Sequence, residues 1–334
     1  MTPHRESRKE SVRPNLLGSR VFLKLGTWNV KTMFEGGKIP NVAKEMRQYK
    51  LEVLGLCETR WNQSGKKHTD TGELILYSGH EDADAYRSQG VALMLSPRAR
   101  KALLGWDPIC SRIITARFRT SNRRINFKII QAYAPTNEAT EEEKETFYER
   151  LQTVINDRTE RECVLLMGDV NAKIGSDNTG YETVMGCHGL GSMNENGTMF
   201  ADFCAENSMV IGGSIFPHKE VHKVTWVSPD QKTKNQIDHI CISKKFRGSL
   251  MDVRAKRGAD AGTDHHLVVA NMRLRLKKCH NTNVSAPKKY NIAALNSESG
   301  KQKYQIALRN RFDALEGLVT EDSVEEMWDK SKQA

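Results

Sequence analysis

The chain has 334 residues, a net charge of +10 and a hydrophobic fraction of 38%, enough apolar material for a packed core and too much for wholesale disorder. Its basic balance favours a polyanionic partner. No run reaches the roughly 20 apolar residues of a membrane helix, and the start MTPHRESRKESVRPN lacks the apolar centre of a secretory signal. Seven cysteines without a CxxC pair speak against a zinc site and for a reducing, intracellular compartment.

In chain order, residues 1–20 read as a disordered basic arm and residues 21–278 as the folded unit. LKLGTWN is a strand ending at Asn29. Pro40 opens a helix whose Val42, Met46 and Tyr49 share a face, and LEVLGLCE is a strand ending at Glu58. RIITARFRT and RRINFKII form a hairpin about Ser121-Asn122; the second strand exits at Tyr133, with Pro135 stopping it. Thr140 and Glu143 make a capping box before Phe147, Leu151, Val154 and Ile155. A strand over Cys163–Met167 then stops at Gly168, and Asp169 and Asn171 follow on one side if the extended trace continues. Met199, Phe200, Phe203 and Cys204 mark a third helix. QIDHICIS carries Asp238 beside a strand, and Asp264-His265 precede LVVANMRLRLK, whose alternation reads as an edge strand with a solvated face. Residues 279–300 read as a polar linker. Helical spacing of Tyr304, Leu308, Phe312 and Leu315 makes 301–334 a helical connector. Hairpins mixed with a few helices predict an α/β fold of two packed mixed sheets with helices outside.

Carboxylates, amides, one tyrosine and one histidine thus cluster at element ends, where α/β sheets gather their catalytic groups. Glu58 and Asp264 are hard oxygen donors suited to Mg2+ or Mn2+. Asp169 can take a proton from an attacking water that Asn171 orients. His265, its tautomer fixed by Asp238, can bond phosphoryl oxygens; Asn29 and Tyr133 add hydrogen bonds. Each string alone has a plainer reading: Asp-x-Asn as a turn, Asp-His as cap chemistry, Glu58 as a partner for Arg60. Their joint occurrence at strand ends favours the site. Lys66, Lys67, Arg87, Arg123, Arg124, Lys244, Lys245 and Arg247 are candidate phosphate contacts.

The strings WNV, CETR, YAP, GDVNA, TW, IDH and TDHH, in this order, resemble the endonuclease/exonuclease/phosphatase superfamily, which includes apurinic/apyrimidinic endonucleases. The resemblance covers about residues 22–278. It implies a four-layered, DNase I-like α/β sandwich and a Mg2+-dependent phosphodiesterase. By motif, Glu58 and Asp264 correspond to metal ligands with Asn29 nearby, Asp169 and Asn171 to the water-activating pair, Tyr133 to a phosphate contact and Asp238–His265 to the buttressed histidine. Asn196 in NENG and Trp226 in VTW match positions that are structural or substrate-lining. LGTWNVKTM, LGLCETRW, QAYAPTN and MGDVNAKIG are similar to the endonuclease domain of non-LTR retrotransposons of the RTE/BovB type. Such a domain nicks one strand of DNA and leaves a 3′-hydroxyl, and residues 301–334 would lead toward a reverse transcriptase. A DNA substrate implies the nucleus. One departure stands out: Lys31 occupies a position where many apurinic-site enzymes carry an acid. Two other readings stay open, a phosphatase or phospholipase of the same superfamily and a domesticated, non-catalytic nucleic-acid-binding or scaffold protein.

Overall fold

The computed structural model describes residues 15–19, 22–159, 161–275 and 297–316. Two units divide the chain, Met1–Leu276 and Lys277–Ala334. The first begins with β1 (Leu23–Asn29), α1 (Lys38–Gln48), β2 (Val53–Cys57), β3 (Ser64–His68), β4 (Leu74–Ser78), β5 (Val91–Leu95), α2 (Pro97–Ala102), β6 (Leu103–Cys110) and β7 (Ile113–Arg119). It continues with β8 (Asn126–Tyr133), α3 (Glu141–Asn156), β9 (Glu162–Asp169), α4 (Glu195–Glu206), β10 (Met209–Ile211), β11 (Trp226–Val227), β12 (Lys234–Asn235), β13 (Asp238–Ser243), β14 (Leu250–Lys256) and β15 (Leu267–Met272). In the second unit, helix α5 covers Glu298–Glu316. It starts inside the stretch expected to be linker, most of which lies outside the described residues.

One sheet has the order β14-β15-β1-β2-β5-β4-β3, the other β10-β13-β9-β8-β7-β6, and β11 pairs with β12 as a small ribbon. Each large sheet contains one parallel pair, β1 with β2 and β8 with β9, joined through α1 and α3 respectively. A core rich in Leu25, Leu93, Ile129, Leu165 and Ile240 fills the space between the sheets. Phe147, Leu151 and Phe200 cover the outer face of the second sheet, and Val42 and Met46 cover that of the first. The arrangement is a four-layered α/β sandwich of two mixed sheets flanked by helices, as expected.

Local chemistry explains the elements. The capping box of Thr140 and Glu143 is formed at the start of α3. Helix α4 starts earlier than its apolar residues suggested, because Asn194 caps it through Gly197 N–H. Pro108 is tolerated in β6 because that strand is an edge with register shifts around it. Two expectations are corrected. LVVANM is an interior strand, since β15 pairs with both β1 and β14; the Arg/Leu alternation that suggested an edge lies mostly beyond its end at Met272. Leu16 and Leu17, inside the stretch expected to be an arm, are fully buried between the sheets, with Leu16 N–H bonded to the Arg119 carbonyl at 3.0 Å.

Strand parity builds the site. Along β9, Cys163, Leu165 and Met167 face the other sheet while Val164 and Leu166 face the helices. Two-residue periodicity therefore aims Asp169 between the sheets. The same parity holds for Asn29 after Leu23 and Leu25, for Tyr133 after Phe127 and Ile129, and for Asp238 before Ile240 and Ile242. All four lie at one end of the sandwich. Just beneath them the packing turns polar: Gln131 Nε2 donates to Thr27 Oγ1 at 3.0 Å and reaches Cys57 Sγ at 3.1 Å. Gly55 makes room for that layer, because a Cβ there would lie 1.8 Å from Gln131 Oε1.

Candidate active site

At the open end, Asn29 Nδ2 donates to Glu58 Oε1 at 2.7 Å and to Asp169 Oδ2 at 2.9 Å, bridging the two sheets. Tyr133 Oη donates to the same Glu58 oxygen at 3.1 Å. Glu58 follows β2 in the left-handed region, φ 54°, a sparsely populated conformation for a non-glycine residue and a common one at functional sites. Gly168 places Asp169: its φ is 148°, and a Cβ would lie 1.8 Å from the Ala132 carbonyl of β8. The glycine lets the parallel strands close and brings Tyr133 and Asp169 into register.

His265 completes the arrangement. Its Nδ1 lies 3.0 Å from Asp238 Oδ2, and its Nε2 lies 3.9 Å from both Asp169 Oδ2 and Asp264 Oδ1. Asp238 is directly opposite Asp169 across the β9–β13 pair. Thr225 Oγ1 accepts the Asp238 N–H, and Thr263 Oγ1 accepts the His265 N–H while donating to the Asn29 carbonyl. Trp28 Nε1 holds the His265 carbonyl at 2.9 Å. The sequence marks Thr263 only as a hydroxyl residue before Asp-His; it does not single out Thr225 and Trp28, although each lies beside a candidate in VTW or TWN.

The electrostatics separate the groups. Burial and the Asp238 charge push the Asp169 carboxyl up to about 7, against the pull of His265 and the hydrogen bonds from Asn29 and Asn171. Burial lowers His265, but the charge and hydrogen bond of Asp238, with Asp169 and Asp264, carry it up to about 9. Burial and the charges of Glu58 and Asp169 keep the Tyr133 hydroxyl protonated far above its ordinary range. Asp264 is raised by burial and lowered more strongly by Lys31 and His265, ending below the usual carboxylate value. A carboxylate poised near neutrality beside a histidine held protonated is a base and a charge stabiliser in one pocket.

Several expected residues take roles other than those read from sequence. Asn171 does not continue an extended trace: its φ is 50°, its N–H bonds Asp169 Oδ1 at 3.1 Å, and its Nδ2 holds the Ala134 carbonyl at 2.9 Å. It locks Asp169 through an Asx turn. Of the two roles expected for Asn196, structural or substrate-lining, its surroundings favour the structural one: it is buried and donates to the Pro135 and Asn171 carbonyls, bracing the loop. Trp226 also braces, donating from Nε1 to Asp264 Oδ2 at 3.1 Å. Asn29 turns its oxygen to the Lys31 N–H and its N–H2 to the carboxylates, so it clamps them rather than offering a ligand oxygen. Among the basic candidates, Arg123 and Arg124 sit in the β7–β8 turn and Lys244, Lys245 and Arg247 follow β13. Those positions are at the opposite end of the strands from Tyr133 and Asp238. Arg112 was missed. It stacks over the Tyr133 ring at 5.2 Å and donates to the Tyr133 carbonyl at 3.2 Å.

Two groups of side chains here carry donors for a divalent cation. Among the described residues, Asp169, Asp238 and His265 bring ligand atoms within 4.8 Å of one another, but the His265–Asp238 hydrogen bond makes that trio a relay. The oxygen side fits a hard ion better. Glu58 supplies a carboxylate, and Asp264 Oδ1 is a buried oxygen without a hydrogen-bond partner. The other Asp264 oxygen pairs with Lys31 Nζ at 2.9 Å.

The chain is similar to known proteins in sequence and in fold. Two relatives named craniofacial development protein 2 match: that of Bos taurus is 36% identical over 253 residues, covering 76% of this chain and 41% of the relative. The Tragulus javanicus protein is 32% identical over 300 residues, covering 88% and 51%. The chain thus spans about half the length of these relatives or less. Among solved structures, the 3′-5′ exonuclease NExo from Neisseria meningitidis is similar at TM-score 0.55 and 20% identity, over 75% of this chain and 100% of that one. The endonuclease domain of TRAS1, a telomere-specific non-LTR retrotransposon, gives 0.53 and 14% over 76% and 99%. The apurinic/apyrimidinic endonuclease LMAP from Leishmania major gives 0.54 and 14% over 76% and 88%. No protein-family model matches the chain.

Proposed function

From the premise that this chain is a homologue of the craniofacial development protein 2 chains with the endonuclease/exonuclease/phosphatase fold, we propose that it is a divalent-metal-dependent phosphodiester hydrolase. Its substrate in this reading is DNA, nicked in one strand to leave a 3′-hydroxyl, and its origin is a retrotransposon endonuclease. The observation that carries the reading is the convergence of Asn29, Glu58, Asp169 and the Asp238–His265 pair at one mouth between the sheets. The likeness to the TRAS1 domain supports the proposed origin. A DNA substrate would place the protein in the nucleus.

The chain's own groups divide the work. Asp169, held through one oxygen by Asn29 and through the other by the Asn171 N–H, accepts the proton of the attacking water. The new bond joins that water oxygen to phosphorus as the bond from phosphorus to the 3′ oxygen breaks, and the departing 3′ oxygen takes a proton from solvent to become the 3′-hydroxyl. His265, oriented through Nδ1 by Asp238, directs Nε2–H toward the phosphoryl oxygens. Tyr133 stays a neutral donor throughout. Glu58 and Asp264 would hold Mg2+ or Mn2+, which neutralises charge developing on the phosphate.

Supercoiled plasmid incubated with Mg2+ tests this. Wild type should open the circles and EDTA should stop it, while Asp169→Ala and His265→Ala should each fall by about 100-fold or more. DNA ligase should reseal the nicks. Equal nicking by all three proteins sinks the residue assignments, and phosphate release from inositol phosphates without nicking would move the chain to a phosphatase.

A further inference from the structure

Beside the carboxylates lies a groove that the hydrolytic chemistry does not use. Its volume is about 570 Å³, within the range of pockets that hold small ligands. Three loops build it: the one after β1 that carries Phe34, the one after β2 that carries Trp61 and Asn62, and the β4–β5 connection that carries Arg87; Lys67 of β3 and Tyr77 of β4 add to the wall. β1 and β2 are the strands that deliver Asn29 and Glu58, so the groove opens three residues beyond Glu58. A three-residue step spans at most about 10 Å.

Its surface combines π-faces with the positive charge of Lys67 and Arg87, against the single carboxylate of Glu35. Phe34 is 62% exposed, and the Arg87 guanidinium lies 4.3 Å from its ring centroid, fixing the ring and setting a cation beside it. Trp61 is held edge-on by Tyr77, with ring centroids 5.1 Å apart and planes at 77°. Asn62 Nδ2 donates to the carbonyls of Ala83 and Ala85 at 2.8 and 2.7 Å, pinning the Arg87 loop against the Trp61 loop. An aliphatic side chain needs neither exposed rings nor cations. A flat aromatic heterocycle on a phosphate backbone needs both.

We propose that this groove binds an unstacked base of the DNA strand, a few nucleotides from the bond being cut, by stacking on Phe34 and Trp61 with Lys67 and Arg87 on the adjoining phosphates. The proposal rests on the DNA-cleaving reading above and adds to it a site for the base. It makes binding depend on the presence of bases and not only on charge, because phosphate contacts alone treat a strand with and without bases alike.

The test is fluorescence anisotropy with the full chain in EDTA, where nothing is cut. One probe is a labelled single-stranded oligothymidine; the other is an equally long oligomer of abasic sugar-phosphates with the same charge. Wild type should bind the thymidine strand about tenfold more tightly. Phe34→Ala, at an exposed position, should remove most of that advantage and leave abasic binding unchanged; Arg87→Gln should weaken both probes. Equal wild-type affinity for the two probes overturns the proposal and leaves the groove to a protein segment, and so does equal weakening of both by Phe34→Ala. Plasmid nicking by the same wild-type preparation separates the two readings: nicking without base preference removes the groove alone, whereas neither nicking nor binding removes both.

Discussion

Two βαβ units in this molecule have the same plan and different ends. β1-α1-β2 delivers Asn29 and Glu58, and β8-α3-β9 delivers Tyr133 and Asp169; Asn29, Tyr133 and Asp169 leave their strands on the face between the sheets, whereas Glu58 follows the outward parity of Leu54 and Leu56 and is turned inward by its left-handed backbone. In the first unit the exits are open. Lys31, Glu58, Arg60 and Gln63 all adopt left-handed backbone, and α1 starts at Gly37 without a side-chain cap. In the second unit the exits are closed: α3 has a full capping box, and Asn171 and Asn196 bind the loops to one another. Asp169 is accordingly 2% exposed, whereas the Glu58 side chain is 17% exposed beside Arg60. On the proposed function, the first unit meets the ligand and the second moves the proton. A shared topology fixes where the groups arrive, and loop closure decides which chemistry they perform.

The contrast can be broken most strongly in the closed unit. Asp169→Asn should lower nicking by about a thousandfold, measured at saturating Mg2+. The same change should stabilise the protein at pH 8. Asp169 titrates near 7 in the fold against 3.8 ordinarily, so the native state holds the extra proton between those values and loses stability as pH rises through them. A neutral amide escapes that loss, and its melting temperature should rise by about 3 °C. A melting temperature equal to or below wild type at pH 8 would show that the lost hydrogen bonds outweigh desolvation.

Next in size is the pH profile. With Asp169 ionised above about 7 and His265 protonated below about 9, activity should rise through the first value and fall through the second. Asp238→Asn removes the charge that raises His265, so the alkaline limb should move toward acid while the rate drops by about 100-fold. An alkaline limb that stays in place would deny His265 its role.

Smaller effects follow, one in each unit. Tyr133→Phe should cost about tenfold in rate, with the fold intact by circular dichroism. Lys31→Ala removes the ammonium from Asp264 and should tighten Mg2+ binding several-fold, about 1 kcal/mol for a half-exposed pair, read by calorimetry without DNA. Unchanged or weaker Mg2+ binding would place the ion elsewhere.

Much of this site was legible in the sequence because strand parity is local. An apolar run that alternates to its last residue states which way Asn29, Tyr133 and Asp169 point, and a second run does so for Asp238. What parity does not state is the end of the sheet at which a turn lies, so it does not separate Arg123 and Lys244, at the far end of their strands, from Lys67 beside the groove. Long-range partners were hidden for the same reason: the Lys31–Asp264 pair and the Arg112–Tyr133 stack join distant segments. The Leu16-Leu17 pair carried too short an apolar signal against its polar neighbours. Asn171 was misplaced because a single left-handed residue ends the period on which the inference stood.

Gly168 gives the pocket a particular fragility. Any side chain at that position meets the neighbouring backbone, so even Gly168→Ala would wedge two parallel strands apart and pull the tyrosine and the aspartate off their shared line. The protein could remain folded, soluble and able to grip its ligand, yet be silenced by one methyl group that touches no substrate.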